Sequence, residues 1–410
     1  MSARAGTIIA GVCSVCCAFL FGCGRDGSES SAAVTQDSAG VSVVTNRGAG
    51  LWVTGDVRPW TVADSPLVRI GVVQGDAAYE LRLALSVVRL PDGRLIVGNA
   101  GSSELRVYDP EGHHRRSVGL DGEGPGEFRN IRGVWRYRTD SLVVYDPSLR
   151  RVSVFSAVPS FTRSFPLASP GDGLAPSLAG VFPDGSFLVL GSARVTPALG
   201  AGVHRRPGPV LRYGTDGSVD DTIAFVMGEE WVGIDGTDGI ALMRRPFGRD
   251  SYIAAVGTSV ALADGERFEV LIHTPEGNLL RRIRRSGENR RITPEELTSF
   301  EQSQVEAARS PEAAMRTRER LQRVPMHDFN PAVIGMLVDT DENFWLEEPR
   351  AAREVARQYT VIDDRGQLLG RVTMPENLRP LEIGSDYVLG RAVDDLGVEY
   401  VQMHGLEKRH

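Results

Sequence analysis

Apolar positions in this chain fall in short runs, broken every few residues by turn-forming residues. The clearest stretch opens at the turn Leu90-Pro91-Asp92-Gly93, passes through Leu95-Ile96-Val97 and breaks at Asn99-Ala100-Gly101-Ser102. A second run, Leu105-Arg106-Val107-Tyr108, ends at Asp109-Pro110-Glu111-Gly112. Apolar runs of this length between Pro, Gly, Asn and Asp predict β-strands joined by tight turns. A shift of 47 residues places Leu95 on Leu142, Val107 on Val154 and Tyr108 on Phe155. One offset holding across two strands and their break marks a structural repeat.

Further copies follow. The third has Val181-Phe182-Pro183-Asp184-Gly185 and Phe187-Leu188-Val189-Leu190, then, after a long loop, Val210-Leu211-Arg212-Tyr213. The fourth keeps Val270-Leu271-Ile272-His273 before Thr274-Pro275-Glu276-Gly277, and the fifth has Met336-Leu337-Val338, Phe344-Trp345-Leu346 and Tyr359-Thr360-Val361-Ile362. The sixth is short: Leu381-Glu382-Ile383, Tyr387-Val388-Leu389 and Glu399-Tyr400-Val401-Gln402. Several strands per unit at a period of roughly 40–50 residues predict an all-β, six-bladed β-propeller with four antiparallel strands per blade. The blurred third and fourth copies leave five or seven blades open. Leu67-Val68-Arg69-Ile70-Gly71 is an apolar strand without a blade of its own, expected to pair with the short sixth copy and close the ring.

One segment departs from the strand pattern. Thr293-Pro294-Glu295-Glu296 and Ser310-Pro311-Glu312-Ala313 each present a hydroxyl cap, a proline and acids in the first turn. Two helices are expected within residues 293–323, inserted between the fourth and fifth copies.

The N-terminus sets the compartment. Met1-Ser2-Ala3-Arg4 and the apolar run Thr7 to Gly22 match a secretory signal peptide over residues 1–22, and are too short for a spanning helix. The run ends in Leu20-Phe21-Gly22-Cys23, which resembles the lipobox of bacterial lipoproteins; that resemblance makes Cys23 the lipidated first residue of the mature chain. No cysteine follows Cys23, so the mature domain has no disulfide. Residues 23–39 are expected to be a flexible Ser-, Gly- and Ala-rich tether, and 40–410 the propeller. Gly24 lacks the aspartate that retains enteric lipoproteins at the inner membrane, which favours the outer membrane.

Composition narrows the partners. The 410 residues carry a formal net charge of −7, which argues against nucleic-acid binding. Lys408 is the only lysine, so the positive charge is almost wholly arginine, suited to carboxylate, phosphate or sugar-acid groups. Gly122-Glu123-Gly124-Pro125-Gly126-Glu127 misses the dinucleotide spacing, and Asp339-Thr340-Asp341-Glu342-Asn343 lacks the glycine and closing glutamate of a calcium loop. No catalytic motif, cofactor or metal site is expected. Polar residues at the predicted strand entrances are Arg82, Asn130, Arg132, Arg249, Tyr252, His327 and Arg379. Gathered at one mouth of the channel, they would suit an anionic or sugar-like ligand.

The Gly122–Phe128 turn, followed by a new inner strand, resembles the NHL-type propellers. With Asp37-Ser38-Ala39-Gly40-Val41, Arg89-Leu90-Pro91-Asp92-Gly93 and Glu104–Asp109, the chain more closely resembles six-bladed propeller lipoproteins of environmental bacteria. The resemblance implies a fold and an envelope location. The function expected is that of a monomeric, lipid-anchored, exported module that binds a ligand, a peptide or an envelope protein. A metal-dependent lactonase- or lyase-like enzyme on the same fold is the alternative.

Overall fold

A computed structural model describes residues 33–46, 60–236, 239–352 and 354–408. The signal segment and Cys23 lie outside the described residues. Among the described residues, six sheets each begin with an inner strand and step outward through antiparallel neighbours. In chain order, the inner strands of sheets I to VI are Ala84–Arg89, Gly133–Tyr137, Leu174–Val181, Ser251–Val256, Gly335–Val338 and Arg379–Ile383. Each inner strand packs beside the next, and the strand of sheet VI returns to that of sheet I. The arrangement is an all-β propeller around a central channel.

The sequence offset is visible in the register. Leu95 lies opposite Tyr108 in sheet I, and Leu142 lies opposite Phe155 in sheet II. Phe187 and Tyr213 occupy the same places in sheet III. All six side chains are buried, each pair within the apolar cluster shared with the preceding sheet. The apolar core is divided accordingly, with a separate cluster between each pair of neighbouring sheets. Each buried Val, Leu or Phe in such a wedge contributes about 1.5–3 kcal/mol of transfer free energy.

Two N-terminal segments complete sheets written much later in the chain. Val68–Ile70 pairs antiparallel with the last strand of sheet VI, Glu399–Glu407, with Ile70 opposite Val401. Thr61–Val62 pairs with the end of the same strand. The tether expected over 23–39 needs correction at its end, since Val34–Ser38 is a strand. It forms a hairpin with Val41–Asn46, turning through Ala39 and Gly40 at φ +54° and +85°. Val41–Asn46 then pairs in parallel with Leu279–Arg285, and Val44 is buried there. The physical reason is the open outer edge of sheet IV: the Val41–Asn46 strand covers it and buries Val44 and Asn46 on one face.

The helices are α1 (Pro294–Glu306) and α2 (Pro311–Leu321). Thr293 and Glu296 form a reciprocal capping box on α1. Phe300 of α1 packs on Phe247 with ring centroids 5.6 Å apart. Just beyond α2, Val324 and Met326 pack on an unexpected three-stranded sheet, Gly202–His204, Trp231–Gly236 and Gly239–Arg244. No helix among the described residues is long and apolar enough to cross a membrane.

Candidate functional site

The inner strands wall a channel of about 880 Å³, within the size range of small-molecule sites. Register shifts on three of these strands each insert one extra residue: Leu85 in sheet I, Ala179 in sheet III and Leu381 in sheet VI. All three extra residues line the channel. A bulge re-aims the side chains beside it, and next to Leu381 it sets Glu382 in the channel wall.

Glu382 is held from three sides. Tyr387 donates its hydroxyl to Oε1 at 2.6 Å, the Arg89 amide donates to the same oxygen at 3.1 Å, and Arg136 lies 3.3 Å from Oε2. Burial pushes this carboxyl above the ordinary glutamate range, outweighing the opposing pull of Arg136 and the two donors. Arg136 also donates to the Arg89 carbonyl at 2.7 Å, and the Arg89 guanidinium stacks 4.8 Å from the Tyr387 ring centroid. Arg132, Arg138 and Trp135 share the lining. Among the described residues, neither Arg132 nor Arg138 forms an ion pair.

The residues named from sequence are distributed as follows. Arg132 is exposed and lines the channel. Arg82 is exposed, and its amide donates to Asn99 Oδ1 at 2.7 Å. The Asn130 amide is held by Asp146 at 3.0 Å, and Arg379 is exposed at the start of its strand. Tyr252 is half-buried against the core between sheets IV and V, and burial raises its hydroxyl above the usual tyrosine range. Arg249 is buried, donating to the carbonyls of Phe247 at 2.8 Å and Phe329 at 3.0 Å. Its amide donates to Glu230 Oε2 at 3.1 Å, and His327 Nε2 meets the same oxygen at 2.6 Å. Glu230 thus joins Arg249 to His327. Burial, with Arg249 and Arg245 nearby, holds the His327 imidazole below its usual range despite that carboxylate.

Glu382, Tyr387, Arg136 and Trp135 were not singled out by the sequence pattern. A charged residue between Leu381 and Ile383 in an apolar strand is the one signal available for this group. The closest described grouping of metal-capable side chains, Asp109, Glu111 and His113, lies on an outer turn of sheet I, away from the channel lining. The Asp109 carboxylate is taken up there by the amides of Glu111 and His113 and by Arg115.

No protein-family model matches the chain, and no curated protein matches it in sequence. Solved structures do. An inferred exported protein of Bacteroides fragilis superposes with a TM-score of 0.50 at 13% identity, covering 90% of this chain and 100% of that one. The fold is shared. A member of the DUF4221 family from Bacteroides vulgatus gives 0.46 at 9% identity over 86% and 99%. Virginiamycin B lyase from Staphylococcus aureus gives 0.40 at 8% over 83% and 98%.

Proposed function

We propose that the chain is an exported, six-bladed propeller lipoprotein, anchored through Cys23, that binds a small anionic or sugar-like ligand in its central channel. The carrying observation is the channel itself, where Arg132 and Arg138 form no ion pair among the described residues and stand beside Trp135 and a buried polar cluster around Glu382. Guanidinium forks match carboxylate and sulfate oxygens two at a time, and an aromatic wall accepts the apolar face of a sugar ring. Export is supported by the signal-like N-terminus and by the likeness to the B. fragilis protein.

Two measurements test the reading. Titration of the full chain with uronic and sulfated sugars should give saturable binding, and Arg132→Gln with Arg138→Gln should weaken it about tenfold or more. Unchanged affinity in the double variant would remove the channel from the proposal. Cys23→Ala should move the protein from the membrane fraction to the soluble exported fraction; continued membrane attachment would defeat the anchor.

A second reading, a propeller enzyme, is favoured by one feature. A carboxyl raised above the ordinary glutamate range by burial, beside a tyrosine hydroxyl, is a general-acid arrangement. Turnover of a channel ligand that is lost in Glu382→Gln, with binding retained, would select it.

A further inference from the structure

A second pocket, of about 380 Å³, shares no lining residue with the channel. It lies where the second and fourth strands of sheet III, Phe187–Ala193 and Val219–Met227, meet Trp231 and the start of the inner strand of sheet IV. Its charges are segregated by depth. Asp250 and Glu229 are half-buried, whereas Arg194 and Arg206 are exposed at the rim. Leu190, Val195, Val226 and Trp231 supply apolar wall between them.

The two acids differ in their partners. Glu229 is paired with Arg244 at 2.7 Å. The Asp250 carboxylate forms no ion pair among the described residues, and it accepts from the Ser251 amide at 2.8 Å. The guanidiniums that act on it, Arg205 and Arg244, are paired with Asp264 and Glu229, and burial outweighs their pull to hold Asp250 above the ordinary aspartate range. A ligand cation would supply the missing partner. The rim calls for the opposite charge: the Arg206 guanidinium donates to the Arg194 carbonyl at 2.9 Å, and the Arg194 guanidinium faces solvent. A simple amine would meet repulsion from the rim, and a simple acid would meet repulsion from the floor.

We infer that this pocket binds a zwitterion of the α-amino-acid type, its ammonium on Asp250, its carboxylate at Arg194 and Arg206, and an apolar side chain against Trp231. The site is independent of the channel, so either proposal can fail alone.

The test uses the full chain and three probes of one shape: L-leucine, its amine analogue isoamylamine, and its acid analogue isocaproate. Calorimetric titration should show leucine binding at least about tenfold tighter than either analogue, as expected when each charged hydrogen-bonding partner is removed in turn. Asp250→Asn should abolish leucine binding. The exposed rim pair Arg194→Gln and Arg206→Gln, which leaves the core untouched, should weaken leucine and spare isoamylamine. That arm decides the matter even where Asp250→Asn fails to fold. Absence of leucine binding to the unaltered chain, equal affinity for leucine and isoamylamine, or indifference of leucine to the rim variants would each overturn the inference.

Discussion

At the scale of single residues, the recurrent device is an aspartate that organises a turn. Asp92, Asp109, Asp216, Asp363 and Asp394 each accept a hydrogen bond from the amide two residues on, the role Asp favours in turns. At Asp109, burial opposes ionisation, but the His113 amide and ring together with Arg115 overcome it and bring the pKa down to about 2. A depressed carboxylate contributes stability above its unfolded value of 3.8 and loses it as pH falls toward its folded value. Denaturant midpoints should therefore fall between about pH 4 and pH 2, and Asp109→Asn should flatten part of that slope. Glu382 has the opposite sign. Its folded pKa is raised, so the folded state binds its proton more tightly and stability declines as pH rises from the unfolded value of 4.5 into that range. Glu382→Gln should abolish that decline, measured by denaturation from pH 4.5 upward. The turn aspartates are plain in sequence because Asp and Gly sit at fixed offsets. Glu382 is not, because the bulge at Leu381 that aims it depends on the partner strand.

At the scale of elements, strands with a buried aromatic and a turn signal were legible. Leu95 with Tyr108 and Leu142 with Phe155 stand opposite one another, as the 47-residue offset implies. Elements that depend on a distant surface were not. The Val34–Ser38 hairpin forms because sheet IV offers an edge, and Trp231–Gly236 pairs with Gly239–Arg244 under residues that follow α2. Neither edge nor cover can be read from the local sequence. The helix start is local, and it was legible: Thr293 accepts from the Glu296 amide, and Glu296 accepts from the Thr293 amide at 2.8 Å while pairing with Arg290. Thr293→Ala should cost about 1 kcal/mol in chemical denaturation. Glu296→Ala should cost more, because it also strands Arg290.

For the whole molecule, stability is shared among wedges, and in the wedge between sheets VI and I an early strand meets the last one. Ile70 is fully buried there, between Val401 of the last strand and the residues of sheet I. Ile70→Ala should cost about 2–5 kcal/mol, and it should do so cooperatively, with all spectroscopic probes shifting together. Separate transitions would show that the wedges unfold independently.

That junction also imposes an order in time. Residues 68–70 leave the ribosome, or a translocation pore, long before residues 401–403, yet they have no strand partner until those residues arrive. Apart from the Val41–Asn46 strand on sheet IV, sheets I to V can assemble from contacts close in sequence, whereas the last requires closing a loop of almost the entire domain. Until then two apolar sheet faces are exposed, one on sheet I and one on sheet V. A truncation that stops short of Glu399–Glu407 therefore leaves a sticky, open arc rather than a smaller propeller.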